Sequence, residues 1–168
     1  NFVKRALAFD MNVYVYDPYV EKEKVKISGA IPVDNISENL PKMDAVTLHC
    51  PKNDETTDLF TKKEFDLMKK SSFIINCARG GILNEEDLYE ALKNKKIAGA
   101  GLDVFDVEPT PSSNPLFKLN NVILSPHIAG VTVESTVRMA TETVQNVLDV
   151  LDDKINQSVV VNNKEIGM

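Results

Sequence analysis

Short apolar runs alternate along this chain with longer segments of mixed polarity. The runs cover residues 13–16, 45–48, 73–75, 97–102 and 122–124. Each run is too short for a helix and is apolar at successive positions, which is typical of parallel strands covered on both faces. A weaker run at 31–33 contains Pro32, whose missing N–H predicts a strand at the edge of a sheet.

The segments between these runs contain clear helix starts. Thr61 and Glu64 have the spacing of a capping box, and Phe60 and Phe65 are placed around it as a hydrophobic staple. Asn84 is followed by three acidic residues, which predicts the first turn of a second helix. Strands that alternate with helices predict an α/β fold with a doubly wound, mostly parallel sheet.

The last predicted helix spans about residues 132–153 and has a single apolar stripe. The stripe is formed by Val133, Val137, Ala140, Val144, Val147 and Leu151. One interpretation is a helix that packs on the sheet or on a neighbouring domain. The other interpretation is the seam of a homodimer.

Composition and charge narrow the class of protein. The chain has 168 residues, 43% of them hydrophobic, which is enough for the core of one domain. A net charge of −6 argues against binding to nucleic acid. No apolar stretch approaches the roughly 20 residues of a membrane helix, and the first residues do not resemble a signal peptide. Two cysteines and two histidines without zinc-ligand spacing lead us to expect a metal-free, cytoplasmic protein.

Polar residues gather where the predicted strands end. In an open parallel sheet, ligands bind at the carboxyl ends of the strands. Both histidines, both cysteines, one of three arginines and two acidic residues follow such ends. These residues are Asp17, His49, Cys50, Cys77, Arg79, Asp103 and His127. The clustering predicts a site for a polar ligand.

Two of these residues suit the recognition of a ligand. Arg79 offers a planar fork that matches a carboxylate, and Gly80 and Gly81 beside it would let backbone approach a ligand closely. The alternative is a structural arginine that pairs with a nearby acid. In dinucleotide-binding folds, a carboxylate at the position of Asp17 accepts hydrogen bonds from the adenine ribose and repels a 2′-phosphate. The alternative is a turn residue before Pro18.

Proton transfer near neutral pH is the chemistry that suits His127, although a histidine there could merely cap a loop. His49 is its only competitor among the histidines. A carboxylate beside an imidazole orients the ring and favours its protonated form, which is a role that Glu108 could have. Asp103 and Asp106 are competing partners for that imidazole.

Three motifs occur in a fixed order along the chain. They are Asn76-Cys77-Ala78-Arg79-Gly80-Gly81, then Gly101-Leu102-Asp103-Val104-Phe105 with Glu108-Pro109, and finally Ser125-Pro126-His127-Ile128-Ala129-Gly130. Together they resemble the D-isomer-specific 2-hydroxyacid dehydrogenases. The similarity covers essentially the whole chain and is greatest to the group of phosphoglycerate dehydrogenase and hydroxypyruvate or glyoxylate reductase.

The resemblance implies a Rossmann-like NAD-binding domain of an oxidoreductase that interconverts a D-2-hydroxyacid and a 2-ketoacid. Arg79 would hold the substrate, His127 would transfer the proton and Glu108 would be the partner of His127. A homodimer is also implied. The implied NAD-binding residues are Asp17, His49, Cys50, Pro51, Thr56, Cys77, Ala78, Arg79, Asp103, His127, Ala129 and Gly130. The alternative is a non-catalytic NAD-binding or protein-interaction module on the same fold.

The sequence departs from this family in its glycines. The G-x-G-x-x-G fingerprint is absent from the 168 residues. We therefore expect residues 1–153 to form a truncated NAD-binding domain without its first strand and Gly-rich loop, inactive alone. Residues 154–168 would form a tail that returns to a substrate domain. Asp10 and Asp58 stand where the family usually has glycine, which predicts strained, left-handed backbone.

The strand order of this fold places the lacking strand at the centre of the sheet. Without that strand, two half-sheets would expose unpaired edges, which favour aggregation. We therefore expect the sheet to be closed by a rearranged strand order, by a strand from another chain, or by a segment outside this sequence.

Overall fold

The computed structural model describes residues 1–162 as two units, one from Asn1 to Pro126 and one that begins at His127. The strands of the first unit are β1 (Tyr14–Val15), β2 (Ile31–Pro32), β3 (Ala45–Leu48), β4 (Phe73–Asn76), β5 (Gly99–Leu102) and β6 (Val122–Leu124). Its helices are α1 (Phe2–Ala8), α2 (Lys22–Ile27), α3 (Ile36–Asn39), α4 (Lys62–Leu67) and α5 (Glu85–Lys93). The second unit contains α6 (Val133–Leu151). Short 3₁₀ turns lie at Leu40–Lys42, Pro115–Lys118 and Gln157–Val159.

Four parallel strands form the main sheet, in the order β3, β4, β5 and β6. The register pairs Leu48 with Asn76, Asn76 with Leu102 and Leu102 with Leu124. The carboxyl ends of the four strands therefore finish level with one another, and the loops that follow them emerge side by side. Parallel strands that alternate with helices confirm the predicted α/β fold.

The strands β1 and β2 form a separate parallel pair, in which Tyr14 faces Ile31. Within residues 1–162, β2 has one neighbour, so the strand that contains Pro32 is an edge strand as predicted. The two half-sheets are also confirmed. A rearranged strand order is wrong for residues 1–162, because β1 pairs with β2 and the strands β3 to β6 lie side by side in chain order. Closure by a strand from another chain or by a segment outside this sequence stays a prediction.

The core of the first unit is one apolar cluster. Phe65 of α4, Leu88 and Leu92 of α5 and Ile74 of β4 are all buried in it. Full burial of such side chains stabilises a fold by roughly 1.5–3 kcal/mol each. The ring of Phe60 lies 6.1 Å from that of Phe65, centroid to centroid, as the predicted staple requires.

Helix starts agree with the signals in the sequence. The Thr61 N–H donates a hydrogen bond to Glu64 Oε2 at 3.2 Å within a capping box. The Asn84 side chain accepts from the Asp87 N–H at 3.1 Å at the start of α5. Each cap satisfies backbone N–H groups that a helix start leaves without intrahelical partners.

The expectation that every strand is covered on both faces is wrong. Tyr14 and Tyr16 of the predicted run 13–16 are 36% and 45% exposed, and the main sheet also has exposed positions. Ile123 of the edge strand β6 is 80% exposed, and Phe73 at the start of β4 is 50% exposed. Ile123 is exposed because β6 is the outer strand of the sheet. Phe73 is exposed because it is the first residue of β4, at the end of the strand.

Two aspartates adopt the predicted left-handed backbone, with φ of 56° at Asp10 and 52° at Asp58. The Asp58 N–H donates to Gly81 O at 2.9 Å, and Asp58 Oδ1 accepts from Asn84 Nδ2 at 3.2 Å. These bonds hold a conformation that costs an L-residue roughly 1–2 kcal/mol.

The second unit contains a single long helix. Thr132 Oγ1 accepts from the Ser135 N–H at 3.1 Å and caps the start of α6. None of the side chains of α6 is buried, so the apolar stripe is exposed to solvent. Of the expected tail at 154–168, residues 163–168 lie outside the described residues.

Candidate active site

Asp17 lies at the carboxyl end of β1, beside a cavity of about 200 Å³. Its Oδ1 accepts a hydrogen bond from the Tyr19 N–H at 2.9 Å, which forms a turn. Its Oδ2 accepts no hydrogen bond from residues 1–162. Apolar residues such as Val25 and Val33 line the cavity with Asp17. The turn and a ligand contact are therefore compatible, because each uses a different oxygen.

The loop after β3 is shaped by its own side chains. The Thr56 hydroxyl donates to Pro51 O at 2.7 Å, and Asn53 Oδ1 accepts from the Thr56 N–H at 3.0 Å. His49 is exposed, and its Nε2 lies 3.2 Å from Thr47 Oγ1. Thr56 thus presents Pro51 at the carboxyl edge of the sheet. Asn53 is a shaping residue that the sequence analysis missed, although an asparagine in a turn is a usable signal.

Cys50 and Cys77 follow neighbouring strands and are both free thiols. Burial raises the pKa of each thiol, and the charge of Asp103 raises that of Cys77 further. Both are therefore protonated at neutral pH and are not activated nucleophiles.

Asn76, the last residue of β4, folds the loop that holds Arg79. Its side chain is 2% exposed. Its Nδ2 donates to Arg79 O at 2.9 Å, and its Oδ1 accepts from the Ala78 N–H at 3.0 Å. The role of Asn76 was not predicted, and the available signal was a polar residue directly after an apolar strand pattern.

Arg79 is exposed at the end of that loop. Its Nη1 donates to Ala78 O at 2.6 Å, and it forms no ion pair with any of the residues 1–162. The alternative of a structural arginine paired with an acid is therefore wrong. The guanidinium retains most of its donors for a carboxylate ligand.

The two glycines after Arg79 serve contacts within the protein. A Cβ atom at Gly80 would lie 1.8 Å from Phe105 O, so the turn at 79–81 packs directly on the backbone after β5. Gly81 has φ of +76°, and a Cβ there would lie 2.3 Å from Lys52 Nζ. Among the described residues, the close approaches at these glycines are to Phe105 and Lys52, and the close approach of a ligand stays a prediction.

Asp103 follows β5 and is 2% exposed. Its Oδ1 accepts from the Ser125 hydroxyl at 2.5 Å, and its N–H donates to Asn76 O at 2.9 Å. Asp103 is thus held from two neighbouring strands.

The other two acidic candidates have different surroundings. Glu108 is exposed, and its Oε1 accepts from the Phe105 N–H at 2.9 Å. The Asp106 N–H donates to Glu85 Oε1 at 2.6 Å. Desolvation and then the negative charge of Glu85 raise the pKa of Asp106. Sequence reasoning missed Glu85 because it lies at the start of a helix, 21 residues from Asp106.

His127 begins the second unit and has a left-handed φ of 56°. The turn after it is closed by a hydrogen bond from the Val131 N–H to Ile128 O at 2.9 Å. Gly130 O accepts from the Ser135 hydroxyl at 2.8 Å, which ties this turn to the start of α6. The pairing of His127 with Glu108 stays a prediction.

The described residues contain neither a membrane-spanning helix nor a metal-binding cluster. No helix within residues 1–162 combines the length and apolarity that crossing a bilayer requires. In the same part of the chain, no group of three or more histidine, cysteine or acidic residues could hold a metal ion.

Comparison with known proteins gives consistent matches. A family model described as D-isomer specific 2-hydroxyacid dehydrogenase, NAD binding domain, matches residues 1–129. The D-3-phosphoglycerate dehydrogenase of Methanocaldococcus jannaschii is 44% identical over 94% of this chain and 30% of its own. The glyoxylate reductase of Thermofilum pendens is 37% identical over 97% of this chain and 48% of its own.

Solved structures agree with these matches. A D-lactate dehydrogenase from Aquifex aeolicus, complexed with NAD and lactic acid, has a TM-score of 0.81 and 32% identity over 90% of this chain and 50% of its own. A D-isomer specific 2-hydroxyacid dehydrogenase from Lactobacillus delbrueckii, in its NAD complexed form, has a TM-score of 0.81 and 28% identity over 94% of this chain and 51% of its own. The chain spans about half or less of the length of these proteins. It belongs to the D-isomer specific 2-hydroxyacid dehydrogenases and matches their NAD-binding domain over residues 1–129.

Proposed function

We propose that this chain supplies the cofactor-binding and catalytic residues of an NAD-dependent oxidoreductase that interconverts a D-2-hydroxyacid and a 2-ketoacid. The observation that supports this most is Arg79, whose exposed guanidinium has no acidic partner among the described residues. It stands at the carboxyl edge of a parallel sheet, where α/β folds bind ligands. A guanidinium in that setting suits a substrate carboxylate.

The residues at the end of β1 fit the adenosine part of NAD. Asp17 offers one carboxylate oxygen to the ribose hydroxyls, and the cavity of about 200 Å³ beside it suits an adenine ring. The carboxylate would repel a 2′-phosphate and so favour NAD over NADP. His49, Cys50, Pro51 and Thr56 would line the same ligand along the next loop.

The nicotinamide end would lie against the loops after β4 and β5. Asp103 is held by Ser125 and would accept a hydrogen bond from the carboxamide. Cys77 and Ala78 would line the ring, as would Ala129 and Gly130 from the second unit. NAD, when bound, supplies the hydride acceptor or donor.

Substrate and proton would be handled by three side chains. Arg79 would bind the substrate carboxylate with two parallel hydrogen bonds and contact the carbonyl oxygen. His127 would donate a proton to that oxygen during reduction and accept it during oxidation. Glu108 would orient the imidazole and favour its charged form.

The relatives and the surface of the chain support proposals for its substrate, oligomeric state, cellular location and domain bounds. A phosphoglycerate dehydrogenase-like substrate is supported by 44% identity to the Methanocaldococcus jannaschii protein of that name. The exposed apolar stripe of α6 supports a homodimer. Two free thiols suit the reducing cytoplasm. Residues 1–153 would be a truncated NAD-binding domain, and residues 154–168 would be a tail that returns to a substrate domain.

The test is dehydrogenase turnover by the complete polypeptide as encoded, with NADH and a panel of 2-ketoacids. Arg79→Lys should raise the KM for the ketoacid about tenfold or more, because an ammonium cannot reproduce the two-pronged contact. Arg138→Lys on α6 is the matched control and should leave KM unchanged. His127→Ala should lower kcat by about 10²–10⁴. Unchanged kinetics in both variants would refute the proposed roles.

A protein-interaction module is the second candidate, and the exposed stripe of α6 favours it. Titration of NADH fluorescence separates the two. Quenching or enhancement that saturates at micromolar NADH supports the dehydrogenase, whereas no change at millimolar NADH supports the module.

A further inference from the structure

Glu85 is the first residue of α5, yet its carboxylate is bonded to a distant loop. Its Oε1 accepts from the Asp106 N–H at 2.6 Å, and its Oε2 accepts from Asn114 Nδ2 at 3.0 Å. Asp106 lies near the start of residues 103–115, which we call the 103–115 loop, and Asn114 lies near its end. One side chain therefore ties down both ends of this loop.

The loop held in this way contains Glu108. Glu108 Oε1 accepts from the Phe105 N–H at 2.9 Å, one residue before the N–H that Glu85 holds. A Cβ at Gly80 would lie 1.8 Å from Phe105 O, so the same short segment packs against the turn that bears Arg79. A displacement of Phe105 and Asp106 would therefore move the Glu108 carboxylate.

Stabilisation of α5 does not account for these contacts. Asn84 already caps the helix through the Asp87 N–H, and Glu86 and Asp87 supply negative charge to its first turn. Glu85 and Asp106 line the same cavity of about 10 Å³, and the charge of Glu85 raises the pKa of Asp106. Repulsion between the carboxylates of Glu85 and Asp106 does nothing for the cap of α5. It follows from the hydrogen bond of the Asp106 N–H to Glu85, which brings the two carboxylates together.

We propose that Glu85 is a positioning residue that fixes the 103–115 loop and thereby aims the Glu108 carboxylate at the reacting centre. The proposal rests on the proposed function, because it assumes that Glu108 assists proton transfer. In this role Glu85 acts through the 103–115 loop and not by contact with substrate or cofactor.

The test compares Glu85→Ala and Glu85→Gln with the matched control Glu86→Ala, all in the complete polypeptide as encoded. Glu86 is the next residue of the same first turn, is exposed and bonds no loop within residues 1–162, so its loss reports only the effect of charge on the helix. Glu85→Gln keeps one oxygen that can accept from the Asp106 N–H, and its fold should survive where Glu85→Ala fails.

The first measurement is hydrogen exchange of peptides that cover residues 103–115. Glu85→Ala should speed exchange of the Asp106 amide by about tenfold or more, because a bond to a charged acceptor is lost. Glu86→Ala should leave it unchanged, and Glu85→Gln should fall between the two. Equal exchange in the variants of Glu85 and Glu86 would overturn the proposal.

The second measurement is the division of the effect between kcat and KM. Glu85→Ala should lower kcat by about ten- to a hundredfold, since small misplacements of catalytic groups have effects of this size. The KM for NAD should be unchanged, because Asp103 is held separately by Ser125 and Asn76, and Asp17 lies at the distant strand β1. Faster exchange with unchanged kcat would overturn the positioning role. A wild-type protein without turnover would refute the proposed function and with it the positioning role. Faster exchange in Glu85→Ala would in that case show that the contact between Glu85 and the loop is structural only.

Discussion

Replacing Gly80 with alanine should separate the two loops that bear Arg79 and Glu108. The added Cβ would lie 1.8 Å from Phe105 O, 2.2 Å from Phe105 C and 2.8 Å from Asp106 N. Protein Cβ atoms essentially never approach other atoms closer than 3.0 Å, so one backbone segment must move by at least about 1 Å. Rotation of a side chain cannot relieve the clash, because all three atoms belong to the main chain.

The free energy of unfolding should fall by about 3 kcal/mol. Overpacked cores lose roughly 1–3 kcal/mol where side chains can adjust, and a clash with backbone belongs at the upper end of that range. For a chain of this length, about 3 kcal/mol corresponds to a decrease in Tm of about 6–12 °C. Turnover should fall as well, because both displaced loops bear residues assigned to catalysis.

Thermal unfolding followed by far-UV circular dichroism measures the effect, with Gly101→Ala as the matched control. A Cβ at Gly101 would meet Ile75 Cγ1 at 3.8 Å, which is an ordinary contact. That variant should be neutral or stabilised by roughly 0.4–1 kcal/mol, because alanine restricts the unfolded chain. A Tm for Gly80→Ala within about 2 °C of wild type, or no difference between the two variants, would refute the steric argument.

Three further predictions concern single side chains. Asn76→Ala should destabilise the protein by about 1–3 kcal/mol in urea unfolding, because two partly buried backbone groups of the Arg79 loop lose their partner. A loss below about 0.5 kcal/mol would contradict this. Asp17→Asn should lower the ratio of the Kd for NADPH to the Kd for NADH by about tenfold or more, because a negative charge no longer faces the 2′-phosphate. Titration of the fluorescence of each cofactor measures the two Kd values. An unchanged ratio would exclude a role of Asp17 in the choice between NAD and NADP. Partial burial raises the pKa of Glu64, but hydrogen bonds from Thr61 outweigh this effect and lower the pKa below 4.5. The ionised Glu64 therefore stabilises the fold above pH 4.5. This contribution to stability is lost as the pH falls through the lowered pKa. Glu64→Gln should therefore flatten the decrease in Tm below about pH 4.5, and an equally steep decrease would contradict this.

Much of the fold and part of the site could be predicted from local signals. The capping box at Thr61 and Glu64 and the cap at Asn84 involve residues three apart, so their geometry follows from helix spacing alone. The strands were predictable because buried parallel strands need continuous apolar runs. The edge position of β2 follows from Pro32, which lacks a donor. The sites of ligand contact at strand ends follow from the geometry of parallel sheets.

Tertiary structure decided how those strand ends are built. Gly80 packs on Phe105, and Glu85 holds Asp106 and Asn114, across sequence separations of 21 to 29 residues. No local pattern encodes such contacts, because they depend on which loops the sheet register brings side by side. The sequence by itself determined the elements, their order and the residue types at the site. The fold alone decided that Arg79 has no acidic partner among residues 1–162 and that Glu85 faces a loop, because both depend on distances between segments that only packing sets.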